Sequence, residues 1–143
     1  MAPLLLLALR SVGATLGRLA YLLGVRREVT RSNLRRAYPE LSERQRRQIE
    51  ARTFASLGMV FLEFLYLRMA PRKRVAKGMH ISNLSQVSQV MSHPRGALLL
   101  SGHIANWEWL AIGTGLNVRP IHVIVKEQRN RTVAHFLLSL IHI

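Results

Sequence analysis

The residues of this chain best suited to chemistry are a histidine and a glutamate five positions apart, His103 and Glu108. They lie in the stretch Ser-Gly-His-Ile-Ala-Asn-Trp-Glu-Trp, residues 101–109, directly after an apolar run. A strand that ends near Gly102 and a helix that opens near Asn106 would bring the imidazole and the carboxylate onto one turn. The carboxylate could then hold one ring nitrogen while the other takes a proton from a hydroxyl group.

A second pair with the same spacing, His122 and Glu127, serves as an internal control. His122 lies in the β-branched run Ile-His-Val-Ile-Val, which is typical of a strand. Residues five apart in a strand face opposite sides and are roughly 16 Å apart. We therefore expect the pair at 103 and 108 to act together and the second pair not to.

The elements around His103 predict a β-α-β unit. A turn over 94–96 leads into a strand from Ala97 to Leu100, a helix runs from Asn106 to about Thr114, and a second strand covers Val118–Val125. A crossover of this length favours parallel strands. The predicted fold class is α/β, with a helical N-terminal half followed by a β-α-β unit of a mainly parallel sheet.

The helical half contains one long predicted helix that begins at Ser42. Ser42 and Gln45 form a capping box, and apolar residues recur at three-and-four spacing to about Met69. Pro71 ends the helix, and Pro39 ends a shorter one before it. Because no repeat or linker divides the chain, we expect residues 1–143 to form a single domain.

Composition narrows the classes of function. The chain has 143 residues, is 49% apolar and contains no cysteine, which excludes thiolate chemistry and cysteine-bound zinc. Its formal charge of +14 indicates a polyanionic partner. Nucleic acid is not expected, because aromatic residues make up only 6% and no binding motif is present. We expect no bound metal, since no ligand cluster occurs, and no cofactor.

Residues 1–25 predict a helix that anchors the protein at a membrane interface. They are rich in leucine, but Arg10 and Arg18 interrupt them, which makes a spanning helix or a secretory signal unfavourable. The two arginines lie on roughly the same side of a helix and leave a leucine face opposite. An ordinary amphipathic core helix is the alternative.

A cluster of basic residues with no acid follows the long helix. We expect it to contact anionic lipid, because an apolar helix followed by basic residues is typical of a segment on a membrane surface. A solvated cluster at the end of a core helix is the alternative. The residues proposed for lipid contact are Arg72, Lys73, Arg74 and Lys77.

The block Gly-His-x-x-Asn-Trp-Glu closely resembles the active-site block of the bacterial lipid A biosynthesis acyltransferases of the lauroyl and myristoyl type. These belong to the lysophospholipid acyltransferase superfamily. The stretch Tyr38-Pro39-Glu40-Leu41-Ser42 and the pair Lys126 and Asn130 also resemble family segments, in the same order. The family usually has an aromatic-glycine pair where this chain has Ile104-Ala105. The chain resembles the N-terminal half of such an enzyme, and the family's later basic block would fall after Ile143.

The resemblance implies an O-acyltransferase that moves a fatty acyl chain from a thioester of acyl carrier protein or coenzyme A to a lipid A precursor. His103 would be the general base and Glu108 would orient it, while Gly102 and Asn106 would position groups or stabilise the oxyanion. Implied partners are the acyl donor, anionic membrane lipid and a phosphorylated glycolipid acceptor. The implied location is the cytoplasmic face of a bacterial inner membrane. A membrane-surface fragment without activity is the alternative.

Overall fold

A computed structural model describes residues 2–102 and 104–124, together with Arg131 and His135. Within these residues the regular elements are all helices. They are α1 (Ala2–Leu22), α2 (Arg27–Ala37), α3 (Glu43–Met69), α4 (Arg72–Lys77), α5 (Leu84–Met91) and α6 (Trp107–Asn117). The chain divides into two compact units, Met1–Leu65 and Tyr66–Ile143, with the boundary inside α3.

Glycines bring α1 and α3 into direct backbone contact in the first unit. A Cβ atom added to Gly58 would lie 2.0 Å from the carbonyl oxygen of Gly13, and one added to Gly17 would lie 2.0 Å from that of Phe54. Real side chains do not tolerate such distances. The absence of a side chain at these positions therefore sets how closely the two helices approach.

Two buried glutamates on α3 hold the neighbouring helices by charge. Glu63, only 4% exposed, pairs with Arg10 of α1. Glu50, 1% exposed, lies 3.7 Å from Nε of Arg27 and 3.4 Å from Nε of Arg31 on α2. Carboxylates this buried are stable only when paired, so these contacts fix which faces of α1 and α2 meet α3.

The capping box predicted at the start of α3 is confirmed. The backbone nitrogen of Ser42 donates to Oε1 of Gln45 at 2.8 Å, and the backbone nitrogen of Gln45 donates to Oγ of Ser42 at 3.3 Å. The helix runs to Met69 and Pro71 follows as the N-cap of α4, so both predicted ends are confirmed within a residue or two.

The second unit is built on the packing of α4 against α6. Val75 of α4 is buried, and the side-chain amide of Asn117 donates to the carbonyl oxygen of Ala76 at 3.1 Å. Trp109 of α6 stacks on Tyr66 with ring centroids 5.7 Å apart.

The predicted α/β class, with its β-α-β unit of a mainly parallel sheet, is wrong for the described residues. Neither Ala97–Leu100 nor residues 118–124 form a strand, and Val125 lies outside the described residues. Leu98 and Leu100 are 90% and 97% exposed. A strand exists only when a neighbour accepts and donates its backbone hydrogen bonds, and no described segment supplies that ladder. The short apolar runs have a preference for extended structure, but among the described residues they have no neighbouring strand with which to pair.

Helix α1 has a face that does not contact α3. Its apolar side chains Leu5, Val12, Leu16 and Leu19 are between 48% and 53% exposed. Residues Leu4–Leu22 form a helix long and apolar enough to cross a membrane, a property that core helices and signal sequences share. The leucine face predicted from the sequence is therefore present and open.

Candidate functional site

Glu108 lies at the start of α6, which begins at Trp107. Asn106 is the N-cap, and its Oδ1 atom accepts a hydrogen bond from the backbone nitrogen of Trp109 at 3.1 Å. Glu108 therefore lies in the first turn, where the helix dipole stabilises a negative charge, and its Oε2 atom is buried. His103, the proposed base, lies outside the described residues.

A tight turn leads from Gly102 into the helix. The backbone nitrogen of Ile104 donates to the carbonyl oxygen of Gly102 at 2.9 Å. Ala105 follows with φ of 52°, a left-handed conformation that non-glycine residues rarely adopt. The chain bends at Ala105, directly before the N-cap residue Asn106. The sequence predicted a turn in this stretch, although residues 97–100 before it form no strand.

The strain at Ala105 gives a testable prediction. The family that the sequence resembles usually has glycine at this position, and glycine adopts positive φ without a penalty from Cβ. Ala105→Gly is therefore expected to raise the free energy of unfolding by about 1 kcal/mol, measured by urea denaturation. Ala111→Gly, inside α6, is the control and should lower it by about 1 kcal/mol. A destabilised Ala105→Gly variant would contradict the left-handed turn.

The four basic residues proposed for lipid contact are brought next to the helix that carries Glu108. Arg72, Lys73, Arg74 and Lys77 are all exposed on α4, which packs against α6. Within the part of the chain that the structure describes, no ion pair engages them. Sequence reasoning found the cluster and the motif separately and missed their adjacency.

The contact between α4 and α6 depends on residues that sequence reasoning did not single out. A Cβ atom on Gly78 would lie 2.9 Å from the ring of Trp109, and one on Gly113 would lie 2.1 Å from the sulfur of Met79. Spacing alone does not identify such contacts, because the partners are distant along the chain. Tyr66 and Gly78 together hold the Trp109 ring that follows Glu108.

The second histidine pair remains a poor candidate. His122 is exposed, and Glu127 lies outside the described residues. Across residues 2–102 and 104–124, no group of three histidine, aspartate or glutamate side chains could hold a metal ion. Among the described residues, the side chains best suited to chemistry or to binding therefore lie in the turn before α6 and on the basic surface of α4.

Comparison with known proteins gives one family. The family model described as bacterial lipid A biosynthesis acyltransferase matches residues 6–140. The lipid A biosynthesis lauroyltransferase of Escherichia coli strain K12 is 31% identical over 98 residues, which cover 68% of this chain and 32% of that relative. The match thus spans about a third of the relative's length. No solved structure matches the chain.

Proposed function

Because this chain belongs to the bacterial lipid A biosynthesis acyltransferase family, we propose that it transfers a fatty acyl chain to a lipid A precursor. The observation that carries the proposal is the family match over residues 6–140, which includes the whole block from Gly102 to Glu108. The donor is a thioester of acyl carrier protein or coenzyme A. The acceptor is a hydroxyl group of the phosphorylated glycolipid.

His103 acts in this proposal as the general base. It takes the proton of the acceptor hydroxyl, whose oxygen attacks the thioester carbonyl. The new carbon–oxygen bond makes the ester, the carbon–sulfur bond breaks, and the protonated imidazole returns the proton to the leaving thiolate. Glu108 orients the imidazole, and its position in the first turn of α6 is one where the helix dipole favours a negative charge.

The oxyanion that forms during attack needs hydrogen-bond donors. Asn106 caps α6 through its Oδ1 atom, which places its side-chain amide at the start of the helix that carries Glu108. Gly102 precedes Ile104 and is exposed, and because it has no side chain the substrate can approach its backbone closely. Both residues are proposed to position the thioester carbonyl.

The basic surface of α4 suits the charges of both substrates. Arg72, Lys73, Arg74 and Lys77 are exposed beside α6, and acyl carrier protein and the glycolipid phosphates are both anionic. Opposite charge accelerates encounter and aligns the partners before the reaction. We assign this surface to the anionic headgroups of membrane lipid and acceptor.

The protein is proposed to lie on the cytoplasmic face of the inner membrane, anchored through residues 1–25. One face of α1 packs on α3 through Gly13 and Gly17, while the opposite leucine face is open. A helix covered on one side by a charged neighbour is better suited to lying in the interface than to crossing the bilayer. The open face would enter the acyl region of the membrane.

The test is transfer of labelled lauroyl chain to a lipid A precursor by the full-length protein. Lauroyl thioesters of acyl carrier protein and of coenzyme A are compared in parallel as donors. The lauroyl group is chosen because the Escherichia coli relative is a lauroyltransferase. Label is expected in the glycolipid. Folded, membrane-bound protein that transfers label from neither donor would refute the enzyme and leave the inactive membrane-surface protein. Sedimentation with anionic vesicles that is unchanged in Leu16→Glu would refute the anchor.

A further inference from the structure

A charged cavity lies between α2 and the first turns of α3, away from the proposed catalytic turn in sequence. Its volume is about 390 Å³, within the range of about 300–1,000 Å³ that is common for small-molecule sites. Four of its lining residues are arginines, two are glutamates and one is leucine. They are Arg31, Leu34, Arg35, Glu43, Arg46, Arg47 and Glu50.

Three of these arginines are held through Nε alone. Nε of Arg31 donates to Oε2 of Glu50 at 3.4 Å, and Nε of Arg35 donates to Oε1 of Glu43 at 3.2 Å. Nε of Arg47 donates to the carbonyl oxygen of Glu43 at 3.4 Å. Among the described residues, the terminal nitrogens of these three side chains have no hydrogen-bond partner. Those nitrogens form the fork with which arginine binds oxyanions.

The fourth arginine fixes the cavity wall. Nη1 of Arg46 donates to the carbonyl oxygens of Tyr38 and Pro39 at 2.9 and 3.2 Å, and Nη2 donates to Glu43 at 3.2 Å. This side chain ties the connection between α2 and α3 to α3 itself. These hydrogen bonds hold the connection between α2 and α3 in place. The arginines that face the cavity therefore lie on helices whose relative position is fixed, which lowers the entropic cost of binding a ligand.

The charges of the cavity do not cancel. Each carboxylate is shared by two arginines, Glu50 by Arg27 and Arg31, and Glu43 by Arg35 and Arg46. Arg47 contacts neither carboxylate group. The four arginines that line the cavity, set against its two carboxylates, leave an excess of two positive charges, and Arg27 adds a third beside Glu50. The N-terminus of α3 adds the positive end of its dipole.

The carboxylate of Glu43 stays ionised in this setting. Burial opposes the charge, but hydrogen bonds from Arg35 and Arg46 and their positive charges outweigh it and hold the pKa of Glu43 below its usual value. The anchoring of Arg35 and Arg46 is therefore constant at neutral pH. A ligand that binds near neutral pH therefore meets the same arrangement of guanidinium groups.

We propose that this cavity binds a phosphate group, carried either by a free phosphate compound or by the headgroup of an anionic lipid. Phosphate oxygens match the paired donors of a guanidinium fork and its positive charge. Arg35 and Arg47 are exposed at the rim, so the group can enter from solvent or from a membrane surface. The site involves none of the residues assigned to acyl transfer.

The experiment measures binding to the purified full chain in two arms. One arm titrates inorganic pyrophosphate by calorimetry, and the other uses phosphatidylcholine vesicles with and without phosphatidic acid. The variant is Arg47→Gln, chosen because Arg47 pairs with no carboxylate. The control is Arg44→Gln, an exposed arginine on the same turn of α3 that does not line the cavity. Circular dichroism confirms that both variants fold.

Arg47→Gln is expected to weaken binding about tenfold or more, whereas Arg44→Gln, with the same loss of charge, changes it less than about twofold. Such a difference with pyrophosphate identifies a site for free phosphate compounds. The same difference only with phosphatidic acid identifies a lipid headgroup site. Equal losses in both variants, or no saturable binding in either arm, would show that only the overall charge of +14 attracts anions and would overturn the proposal.

Discussion

Replacing His103 with alanine is expected to lower kcat for acyl transfer by a factor of about 10² to 10⁴, with a much smaller effect on KM. A positioned general base contributes an acceleration of this size, and alanine cannot accept the hydroxyl proton. The measurement is the initial rate of labelled lauroyl transfer by the full-length protein. Glu108→Gln should lower kcat as well, because the amide no longer stabilises the protonated imidazole.

His122→Ala is the matched control for this prediction. His122 has a glutamate at the same spacing as His103, at position 127, and its side chain is exposed. Its removal should leave kcat within about twofold, since an exposed histidine outside the site supplies no proton transfer. If His103→Ala kept most of the activity, or if both variants lost it equally, the base would have to be another group.

Gly58→Ala is expected to lower the free energy of unfolding by about 3 kcal/mol, the second large effect. The added Cβ would lie 2.0 Å from the carbonyl oxygen of Gly13. That oxygen belongs to the backbone, so it cannot rotate away as the end of a flexible side chain could. The helices must therefore separate, which loses packing along their whole contact. The better helix propensity of alanine offsets only about 1 kcal/mol. Urea denaturation followed by circular dichroism gives the change.

Gly115→Ala separates this contact from the general effect of replacing a helical glycine. Nothing lies within 4 Å of a Cβ added at Gly115, which is in α6. That variant should therefore be more stable than the parent by about 0.5 to 1 kcal/mol. A Gly58→Ala variant as stable as the Gly115→Ala variant would show that α1 and α3 do not meet at Gly13.

Local signals predicted the helices well because each depends on neighbours within a few residues. Ser42 and Gln45 satisfy each other's backbone groups, and Pro71 cannot continue α3. Asn106 caps α6 as its position before the apolar residues predicted. The strands were predicted wrongly, because a strand depends on a partner from any part of the chain and residues 97–100 have none among the described residues.

The candidate site follows the same division. The residues from Gly102 to Glu108 carried the resemblance that predicted the acyltransferase family, and the family match confirms that family. Sequence reasoning did not foresee the left-handed Ala105, because a single alanine does not reveal its own φ. Nor did it foresee that α4 packs beside α6, since that contact joins segments separated by a stretch of intervening chain.

The amino-acid sequence by itself determined the family to which this chain belongs, its strongly basic charge and the ends of its main helices. Those properties reside in residue types and short spacings, which hold in any packing. Only the tertiary structure decided that Gly13 and Gly58 meet, that Glu50 is buried between arginines, and that Arg31, Arg35 and Arg47 face one cavity. These contacts depend on how the helices cross, and the crossing is settled by side-chain shape and charge between residues far apart in the chain.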